Sequence, residues 1–514
     1  MEALTIEEAR ALDENAEFLG ISRLQLMENA GKAVAESLKK ETQKKIVIVA
    51  YTGNKGGDGF VAARHLASMG AQVSVVLLSK PDHISTAEAM ANYLVLSRTH
   101  SVKLIISPCL SDAARDEIGS ADILVDAMLG TGAKGSPAGV LKGAVEACNA
   151  SKAFKVAIDL PSGLNACEKE GGSNKAPALA FKADLTVTYH KPKTVLLTPH
   201  AKGCVGKLEV ASIGMPPEVE MYAGPGDLRL ALKQRDEYVH KGQSGRILVI
   251  GGSSKYSGAP TLAALAALNS GSDIVVLAVP SSLVTAVRGF SPNLIVASLD
   301  SSNEFDKNSL AIARKEAKDA DVVVMGMGMC LKAETQSALN EFVDDLVAIG
   351  KPLVIDADAL KALGGEGKGP RPGLKLKGAV LTPHTGEFAA LTGVKLPDER
   401  DAGWQGRLDV VKEWAEKLGT TILLKSRYDI ITDGSRYKIK TIGNPGLAIG
   451  GTGDVLAGIT GAIMARGMSP YRSAVAASFL NAYAGDLLAE KKGQHFTATD
   501  LVHALPYALK KLDL

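Results

Sequence analysis

The sequence has few aromatic residues and no excess of charge of either sign. Aromatic side chains make up 4% of the 514 residues, and 58 Lys and Arg nearly balance 56 Asp and Glu, for a formal net charge of +2. Single-stranded nucleic acids are bound by aromatic stacking platforms and positive grooves, and anionic membranes by clustered basic charge. We therefore expect neither nucleic acid nor a membrane surface as a partner.

Cysteine and long apolar runs are also scarce. The five cysteines are odd in number, scattered, and form no Cys-x-x-Cys pair, so we expect neither a disulfide framework nor a zinc site. No run reaches the roughly 18 apolar residues that a membrane span needs. The first ten residues lack the pattern of a signal peptide, and Thr5 with Glu8 instead predicts a capping box that opens a helix. These features predict a cytoplasmic protein.

Short β-branched runs alternate with segments whose apolar residues have helical spacing, such as GFVAARHLASMG (59–70). Nearly all-apolar strands that alternate with helices indicate parallel sheets covered on both faces. YDIITDGSRYKIKT (428–441) predicts a hairpin that turns at Asp433 and Gly434. The predicted strands are 45–50, 72–78, 102–106, 122–128, 155–161 and 184–190 in the first half, and 246–252, 273–279, 321–326, 352–358, 378–384 and 420–425 in the second.

A segment rich in proline and glycine, GMPPEVEMYAGPGD (214–227), lies between the two sets of strands. It has few apolar anchors, which is typical of a linker. We therefore predict two α/β domains, residues 1–217 and 224–514.

The first strand is followed directly by YTGNKGGDGF (51–60), which contains four glycines. Its spacing fits neither the dinucleotide-binding fingerprint nor the P-loop. Glycines before a helix allow backbone N–H groups to approach an anion at the helix N-terminus. We expect a ligand-binding loop here, the alternative being a tight structural turn.

Two further strand ends carry an aspartate next to glycines. Asp126 opens DAMLGTGAKGS (126–136), and Asp159 opens DLPSGL (159–164). A single aspartate at a strand end is usually a helix cap, but the carboxyl ends of parallel strands meet at one edge of a sheet. We therefore expect these segments to form one crevice with 51–60.

In the second half, GGTGD (450–454) precedes a helical segment rich in Ala, Gly and Ile. Consecutive N–H groups there would hold a phosphate, and Asp454 would stand beside it to take a proton from a hydroxyl during phosphoryl transfer. The alternative is a buried helix whose glycines allow close packing. His384 and Lys425 also end predicted strands, although such residues are often a packed histidine and a surface lysine.

Together these motifs resemble the bifunctional NAD(P)H-hydrate repair (YjeF) family. The motifs similar to the family's N-terminal domain are LMENAG (26–31), GNKGGDG (53–59), DAMLGTG (126–132) and DLPSGL (159–164). Those similar to its C-terminal domain are VIGGS (249–253), the stretch 256–260, DADAL (356–360), LTPHTGE (381–387) and NPGLAIGGTGD (444–454). The resemblance implies a Rossmann-like three-layer sandwich followed by a ribokinase-like three-layer sandwich.

The resemblance also implies a pair of activities. Water that adds at C6 of a reduced nicotinamide ring gives R and S hydrates, NADHX and NADPHX, which are the implied substrates. The first domain would epimerise R to S, and the second would dehydrate the S form with ADP and Mg²⁺. By analogy with the family, we also expect a homo-oligomer.

In the first domain the resemblance makes Asp159 the acid/base residue. It implies one potassium ion per subunit, held by Asp126 and Ser162. Lys55 stands where many members have a second asparagine that touches the ion, so its ammonium can replace potassium there. The implied hydrate-binding residues are Asn54, Lys55, Gly56, Gly57, Asp58, Gly130, Thr131, Gly132, Ala133, Lys134, Gly135, Ser136 and Asp159.

In the second domain the resemblance makes Asp454 the base that deprotonates the hydroxyl of the hydrate. Two positions depart from the family pattern: Ser426 replaces a usual glycine, and Cys330 replaces the last glycine of a Gly-Pro-Gly-Leu-Gly-like motif. The implied hydrate-binding residues are Ala259, Gly328, His384 and Asp454. The implied nucleotide-binding residues are Lys425, Ser426, Arg427, Tyr428, Asp429 and Gly453.

Two other functions compete with this interpretation. GGTGD also suits a small-molecule kinase such as hydroxyethylthiazole kinase, which leaves the first domain unexplained. The first domain could instead be a scaffold, because its fold also occurs in RNA-associated scaffold proteins. Asp126, Asp159 and GNKGGDG argue against a scaffold.

Overall fold

A computed structural model describes residues 3–133, 135–164, 177–232, 238, 240, 242–365 and 368–514. The chain divides into two compact units, Met1–Val219 and Glu220–Leu514. Both are α/β units built on parallel sheets, which confirms the predicted fold class. None of the described helices has the length and apolar character to cross a membrane.

In the described part of the first unit, seven parallel strands form one sheet in the order β3-β2-β1-β4-β5-β6-β7. The strands are β1 Lys45–Ala50, β2 Gln72–Leu77, β3 Val102–Ile106, β4 Ile123–Ala127, β5 Phe154–Ile158, β6 Leu185–Tyr189 and β7 Lys207–Ala211. The helices are α1 Ile6–Phe18, α2 Arg23–Ser37, α3 Asn54–Ser68, α4 Ala87–Ser97, α5 Asp112–Gly119, α6 Val140–Ala150, α7 Lys202–Val205 and α8 Glu218–Met221, the last of which crosses into the second unit.

In the described part of the second unit, nine strands follow the order β10-β9-β8-β11-β12-β13-β14-β15-β16. The strands are β8 Arg246–Ile250, β9 Ile274–Pro280, β10 Ile295–Leu299, β11 Val322–Met325, β12 Leu353–Ile355, β13 Ala379–Leu381, β14 Thr421–Leu424, β15 Asp429–Thr432 and β16 Tyr437–Lys440. The helices are α9 Pro225–Ala231, α10 Gly258–Asn269, α11 Val284–Phe290, α12 Leu310–Asp319, α13 Ala333–Ala348, α14 Ala357–Leu363, α15 Thr385–Thr392, α16 Glu399–Ala402, α17 Gln405–Leu418, α18 Thr452–Met464, α19 Pro470–Lys492 and α20 Ala498–Lys511.

Apolar side chains on both faces of each sheet explain the layered arrangement. Alternate residues of β1 contribute to two separate clusters of buried residues: Ile46 and Ile48 to one, Val47 and Val49 to the other. Residues of β8 divide in the same way. A strand buried on both faces must be covered by helices on both sides, so the polar strand ends and the loops that follow them are left to form sites.

The local sequence predictions are mostly confirmed, with corrections at four strands. The capping box at Thr5 and Glu8 is present, and β15 and β16 form the predicted antiparallel hairpin. Two strands, β7 and β10, were not predicted; both are partly exposed edge strands, and in β7 Lys207 and Glu209 interrupt the apolar pattern. The predicted strands 352–358 and 378–384 are too long, since β12 and β13 end at Ile355 and Leu381.

Candidate functional sites

The order of the first sheet reverses between β1 and β4. Open α/β sheets bind ligands at such a switch point, beyond the carboxyl ends of the strands. Asp58 and Asp159 lie in the segments that follow β1 and β5, and Asp126 is the penultimate residue of β4. The fold therefore brings the three predicted segments to the same edge of the sheet.

The glycine-rich segment after β1 is helical rather than a loop, which corrects the sequence prediction. Helix α3 begins at Asn54 and includes the three later glycines of the motif. A Cβ atom on Gly56 would lie 2.0 Å from the carbonyl oxygen of Tyr51, and one on Gly59 would lie 2.5 Å from Cβ of Ala127. These glycines therefore allow α3 to pack closely, whereas Gly53 at the N-cap borders open space.

Asp159 follows β5 in a left-handed conformation with φ of 58°, which aspartate tolerates better than most residues. Its Oδ1 atom accepts hydrogen bonds from Nζ of Lys193 at 2.6 Å and Oγ1 of Thr188 at 3.0 Å. Among the described residues, no partner contacts its Oδ2 atom. The side chain is 15% exposed, so Asp159 has one anchored oxygen and one that is available for proton transfer.

The neutral form is favoured in two further groups of this site, the Asp58 carboxyl and the Tyr189 hydroxyl. Burial, with the charge of Asp159 next in importance, raises the pKa of Asp58 well above its usual value. Burial likewise raises the pKa of Tyr189, whose hydroxyl has no hydrogen-bond partner among the described residues. A neutral carboxyl close to an ionisable pair is suited to donating a proton or a hydrogen bond.

Lys193, Thr188 and Tyr189 were missed by the sequence analysis. All three lie at or just beyond the end of β6, and the strand itself was predicted at 184–190. Since β6 pairs with β5, its end reaches the same edge as Asp159. No motif marks these residues in the sequence. They could have been found only from their position at the end of β6, a further strand whose end lies at the same edge of the sheet.

Lys55 is buried against the residues predicted to hold potassium. Its Nζ atom lies 2.8 Å from Oδ2 of Asp126, 2.6 Å from the carbonyl oxygen of Leu160 and 3.3 Å from Oγ of Ser162. Ser162 in turn donates its hydroxyl to Oδ1 of Asp126 at 2.6 Å. Burial lowers the pKa of Lys55, and the Asp126 carboxylate opposes this shift.

The remaining predicted residues of the first site lie at its border. Asn54, Gly132, Gly135 and Ser136 are exposed. The carbonyl oxygen of Thr131 accepts a hydrogen bond from Arg10, and the N–H of Ala133 donates to the carbonyl of Gly130 at 3.2 Å. Lys134 lies outside the described residues.

In the second unit the sheet order reverses between β8 and β11. Asp356, His384 and Lys425 follow the neighbouring strands β12, β13 and β14. Nζ of Lys425 lies 2.7 Å from Oδ1 of Asp356 and 3.6 Å from Oε2 of Glu387. Lys425 is therefore a mostly buried, paired residue and not a surface lysine. Its partners Asp356 and Glu387 belong to the motifs 356–360 and 381–387, but their pairing with Lys425 was not predicted.

Helix α18 directs its N-terminus toward Lys425. A Cβ atom on Gly453 would lie 3.1 Å from Nζ of Lys425, so glycine at this position keeps the space beside the ammonium open. Asp454 follows in the first turn of the helix. Backbone N–H groups at a helix N-terminus and a nearby ammonium favour a bound phosphate.

Asp454 itself is not paired. Among the described residues, its carboxylate makes no hydrogen bond and no ion pair. Burial, and after it the negative charge of Asp356, raises the pKa of Asp454 to about 7, although Lys425 acts in the opposite direction. A carboxylate with a pKa near neutrality is suited to act as a general base.

His384 is a helix cap with an exposed ring. Its Nδ1 atom accepts hydrogen bonds from the N–H groups of Gly386 at 3.0 Å and Glu387 at 3.3 Å. This leaves the ring proton on Nε2, which lies 3.4 Å from Oε1 of Glu387, and 55% of the side chain is exposed. His384 therefore directs this N–H group toward Glu387, and its exposed ring is accessible to a ligand without loss of the cap.

Gly328 and Ala259 lie together beyond β11 and β8. Gly328 has φ of 67°, and a Cβ atom there would lie 2.7 Å from Cβ of Tyr256 and 3.6 Å from that of Ala259. The N–H of Cys330 donates to Oδ2 of Asp358 at 3.0 Å. Asp358 and Asp356 both follow β12, so this hydrogen bond places Gly328 and Cys330 near the segment that carries Asp356.

Within the predicted nucleotide-binding stretch 425–429, Lys425 lies beside Gly453 and interacts with Asp454, and the following residues make hydrogen bonds elsewhere. Ser426 donates to the carbonyl of Tyr428 at 2.7 Å and to Glu399 at 3.2 Å. Arg427 donates to the carbonyl of Gly443 at 3.2 Å. Asp429 accepts a hydrogen bond from Ser478 at 2.7 Å. These bonds fix the turn between β14 and β15, which holds Lys425 in place.

Among the described residues, no group of three or more His, Cys, Asp or Glu side chains could hold a metal ion. The carboxylates of the second site instead lie around one lysine.

Comparison with known proteins gives two family matches. Residues 23–195 match the model described as YjeF-related protein N-terminus, and residues 247–507 match NAD(P)H-hydrate dehydratase. A Bacillus subtilis ADP/ATP-dependent NAD(P)H-hydrate dehydratase co-crystallised with ATP/Mg²⁺ is 26% identical, with a TM-score of 0.47 over 57% of this chain and 98% of that one.

Full-length relatives carry both parts. The bifunctional NAD(P)H-hydrate repair enzymes Nnr of Hyperthermus butylicus and Pyrobaculum aerophilum are each 42% identical to this chain. The matches cover 99% of this chain in both cases, and 92% and 99% of the respective relatives. The chain belongs to the family of bifunctional NAD(P)H-hydrate repair enzymes.

Proposed function

We propose that this chain repairs hydrated nicotinamide cofactors, with the first unit epimerising the R and S hydrates and the second dehydrating the S form. The observation that carries the proposal is the match of the whole chain, with both units in the same order, to bifunctional repair enzymes. A small-molecule kinase accounts for the second unit alone. The substrates are NADHX and NADPHX.

In the first unit, Asp159 is the acid/base residue. C6 of the hydrate bears both the ring nitrogen and a hydroxyl group, so breaking either bond gives a trigonal carbon that can close again from the other face. The free Oδ2 atom of Asp159 would exchange the proton, while Lys193 and Thr188 hold Oδ1. The hydrate would lie along Asn54 to Asp58 and Gly130 to Ser136.

In the second unit, Asp454 is the base that takes the hydroxyl proton of the S hydrate. The bound ADP would transfer its terminal phosphoryl group to this hydroxyl and leave as AMP. Loss of phosphate from C6, together with a proton from the neighbouring ring carbon, would then restore the ring double bond. Lys425 would neutralise phosphate charge, and Gly453 leaves the space for it. Ala259, Gly328 and the exposed ring of His384 would contact the hydrate.

The same site is the proposed location of the nucleotide and its metal ion. We propose that Mg²⁺ enters on the nucleotide and is held mainly by its phosphates, in keeping with the lysine-centred carboxylates of this site. The turn 425–429 would border the nucleotide, with Lys425 nearest to the phosphates.

The proposed function is tested by following reduced-nicotinamide absorbance in a mixture of R and S hydrates with ADP and Mg²⁺. We expect complete recovery, with the R share recovered faster than it epimerises spontaneously. Recovery with ATP and not with ADP would correct the nucleotide alone. No recovery with either nucleotide would contradict the proposal and favour a small-molecule kinase.

A further inference from the structure

Four oxygen atoms surround the ammonium group of Lys55. They belong to the Asp126 carboxylate at 2.8 Å, the Ser162 hydroxyl at 3.3 Å, and the carbonyls of Leu160 at 2.6 Å and Leu129 at 3.2 Å. The side chains of Lys55 and Asp126 are 3% and 0% exposed. One anionic oxygen and three neutral ones, closed off from solvent, are the kind of donor set that binds a monovalent cation.

The carboxylate of Asp126 is already fully hydrogen-bonded when Lys55 is counted. Oδ1 accepts from the Ser162 hydroxyl at 2.6 Å and the Met128 N–H at 3.1 Å, and Oδ2 accepts from the Ser162 N–H at 2.7 Å and from Lys55. The ammonium therefore supplies the single positive charge that this buried carboxylate requires. A potassium ion in the same place would have to displace it.

The position of Lys55 on its helix shows that this arrangement is specific. Lys55 is the second residue of α3, where the positive end of the helix dipole disfavours a cation. Its stem is accommodated by Gly130, at which a Cβ atom would lie only 3.3 Å from Cβ of Lys55. The helix dipole therefore disfavours the charge of Lys55, but oxygens at the ends of β4 and β5 bind its ammonium, and Gly130 leaves room for its side chain.

We propose that the ε-ammonium of Lys55 is a built-in monovalent cation, so that the first unit neither binds nor requires potassium. The residues present do not fit the potassium ion that the family resemblance implies, because the oxygens that would coordinate the ion already surround Nζ. The ammonium joins the ends of β4 and β5, and so fixes the segment that carries Asp159. This inference rests on the proposed epimerase function only for its activity readout.

The test compares the full-length protein in KCl and in choline chloride at equal ionic strength. Three quantities are measured: the thermal unfolding midpoint, stoichiometric binding of Tl⁺ as a potassium analogue, and the rate of R-to-S epimerisation. For the native sequence we expect the same midpoint and rate in both salts, and no bound Tl⁺. A midpoint that rises specifically with K⁺, or one Tl⁺ bound per chain, would overturn the proposal.

Lys55→Asn gives the converse test. Asparagine removes the charge and shortens the side chain, which leaves the oxygens around Asp126 available to an ion. We expect this variant to bind one Tl⁺, to unfold several degrees higher in KCl than in choline chloride, and to recover epimerisation in KCl. Lys202→Asn, at an exposed lysine of α7, is the matched control and should not respond to K⁺.

The outcomes separate this inference from the proposed function. If Lys55→Asn folds in KCl alone, the inference is supported, whereas a variant that folds equally well in both salts and binds no Tl⁺ contradicts it. If Lys55→Asn folds in neither salt, Lys55→Gln replaces it in the same comparison. If the native protein does not epimerise hydrates in either salt, the proposed function fails, while the unfolding and Tl⁺ measurements still decide the role of Lys55.

Discussion

Each unit places an aspartate and a lysine at the carboxyl edge of a parallel sheet, but the two units pair them differently. In the first, Asp159 forms an ion pair with Lys193 at 2.6 Å. In the second, Lys425 pairs with Asp356 at 2.7 Å, and Asp454 is left without a partner. An anchored carboxylate suits reversible proton exchange, whereas an unpaired, desolvated one is a stronger base.

The two units also differ in how far a lysine at the site is enclosed by the protein. Lys55 is enclosed by oxygens from its own unit, with 3% of its side chain exposed, whereas Lys425 is 18% exposed beside Gly453. This difference supports the two proposals made above, in which Lys55 stabilises the fold around the first site and Lys425 binds nucleotide phosphates in the second.

The largest expected effect is that of Asp454→Asn on dehydration. Loss of the general base should lower kcat by about 10³-fold or more, toward the upper part of the range for general acid–base catalysis. Epimerisation should stay within about twofold of the native rate, because Asp159 is untouched. Nicotinamide absorbance and chromatographic separation of the hydrates measure the two activities, and retention of dehydration would refute the assignment of Asp454.

Asp159→Asn should have the next largest effect, on epimerisation. Asparagine tolerates the left-handed conformation at this position, so the fold should persist. We expect a loss of about 10²-fold, limited in practice by spontaneous interconversion of the hydrates, with unchanged dehydration of the S form. Epimerisation at close to the native rate would show that another group is the acid/base.

Lys193→Met sharpens the comparison by leaving Asp159 without its ion-pair partner. Oδ1 of Asp159 then keeps only the hydrogen bond from Thr188, so the carboxylate is less well positioned and epimerisation should fall about tenfold. A retained fold by circular dichroism and unchanged dehydration of the S form distinguish this role from simple structural damage. Lys202→Met, at an exposed lysine, is the control.

A further expected effect concerns the stability of the protein and its dependence on pH. The pKa of Asp454 is raised from 3.8 to about 7, so the folded state binds its proton more tightly than the unfolded state does. Its contribution to the free energy of unfolding is fully present below pH 4 and is lost as pH rises to about 7, a change of roughly 2–4 kcal/mol.

Asp454→Asn should therefore unfold at a higher temperature than the native protein at pH 8, with a difference that disappears near pH 3.5. Dehydration by the native protein should rise with pH through about 7, because the base must be deprotonated. Equal unfolding midpoints at pH 8 would show that Asp454 is not desolvated.

The sequence predicted most of the fold because apolar strands and helices alternate clearly. Edge strands such as β7 escaped prediction, since Lys207 and Glu209 break its apolar pattern. The helical start of α3 was missed for a related reason: glycine runs indicate loops, and here glycines are needed for packing against Tyr51 and Ala127.

The motifs also pointed to the edge of each sheet where the candidate sites lie, but not to all the partners there. Lys193 lies 34 residues from Asp159, and only the pairing of β5 with β6 brings them together. Asp356 and Glu387 belong to quoted motifs, but their contacts with Lys425 depend on the order of three strands. Such long-range pairs are set by topology, which local patterns do not encode.

The central claim is that the two units carry out separate reactions, each with its own aspartate. Complementation tests it most directly: Asp159→Asn and Asp454→Asn are assayed alone and mixed, with R and S hydrates, ADP and Mg²⁺. We expect Asp159→Asn to recover the S share quickly and the R share only at the spontaneous rate, Asp454→Asn to recover almost nothing, and the mixture to recover everything. If either substitution abolished both activities, or the mixture recovered no more than Asp159→Asn alone, the claim would be contradicted.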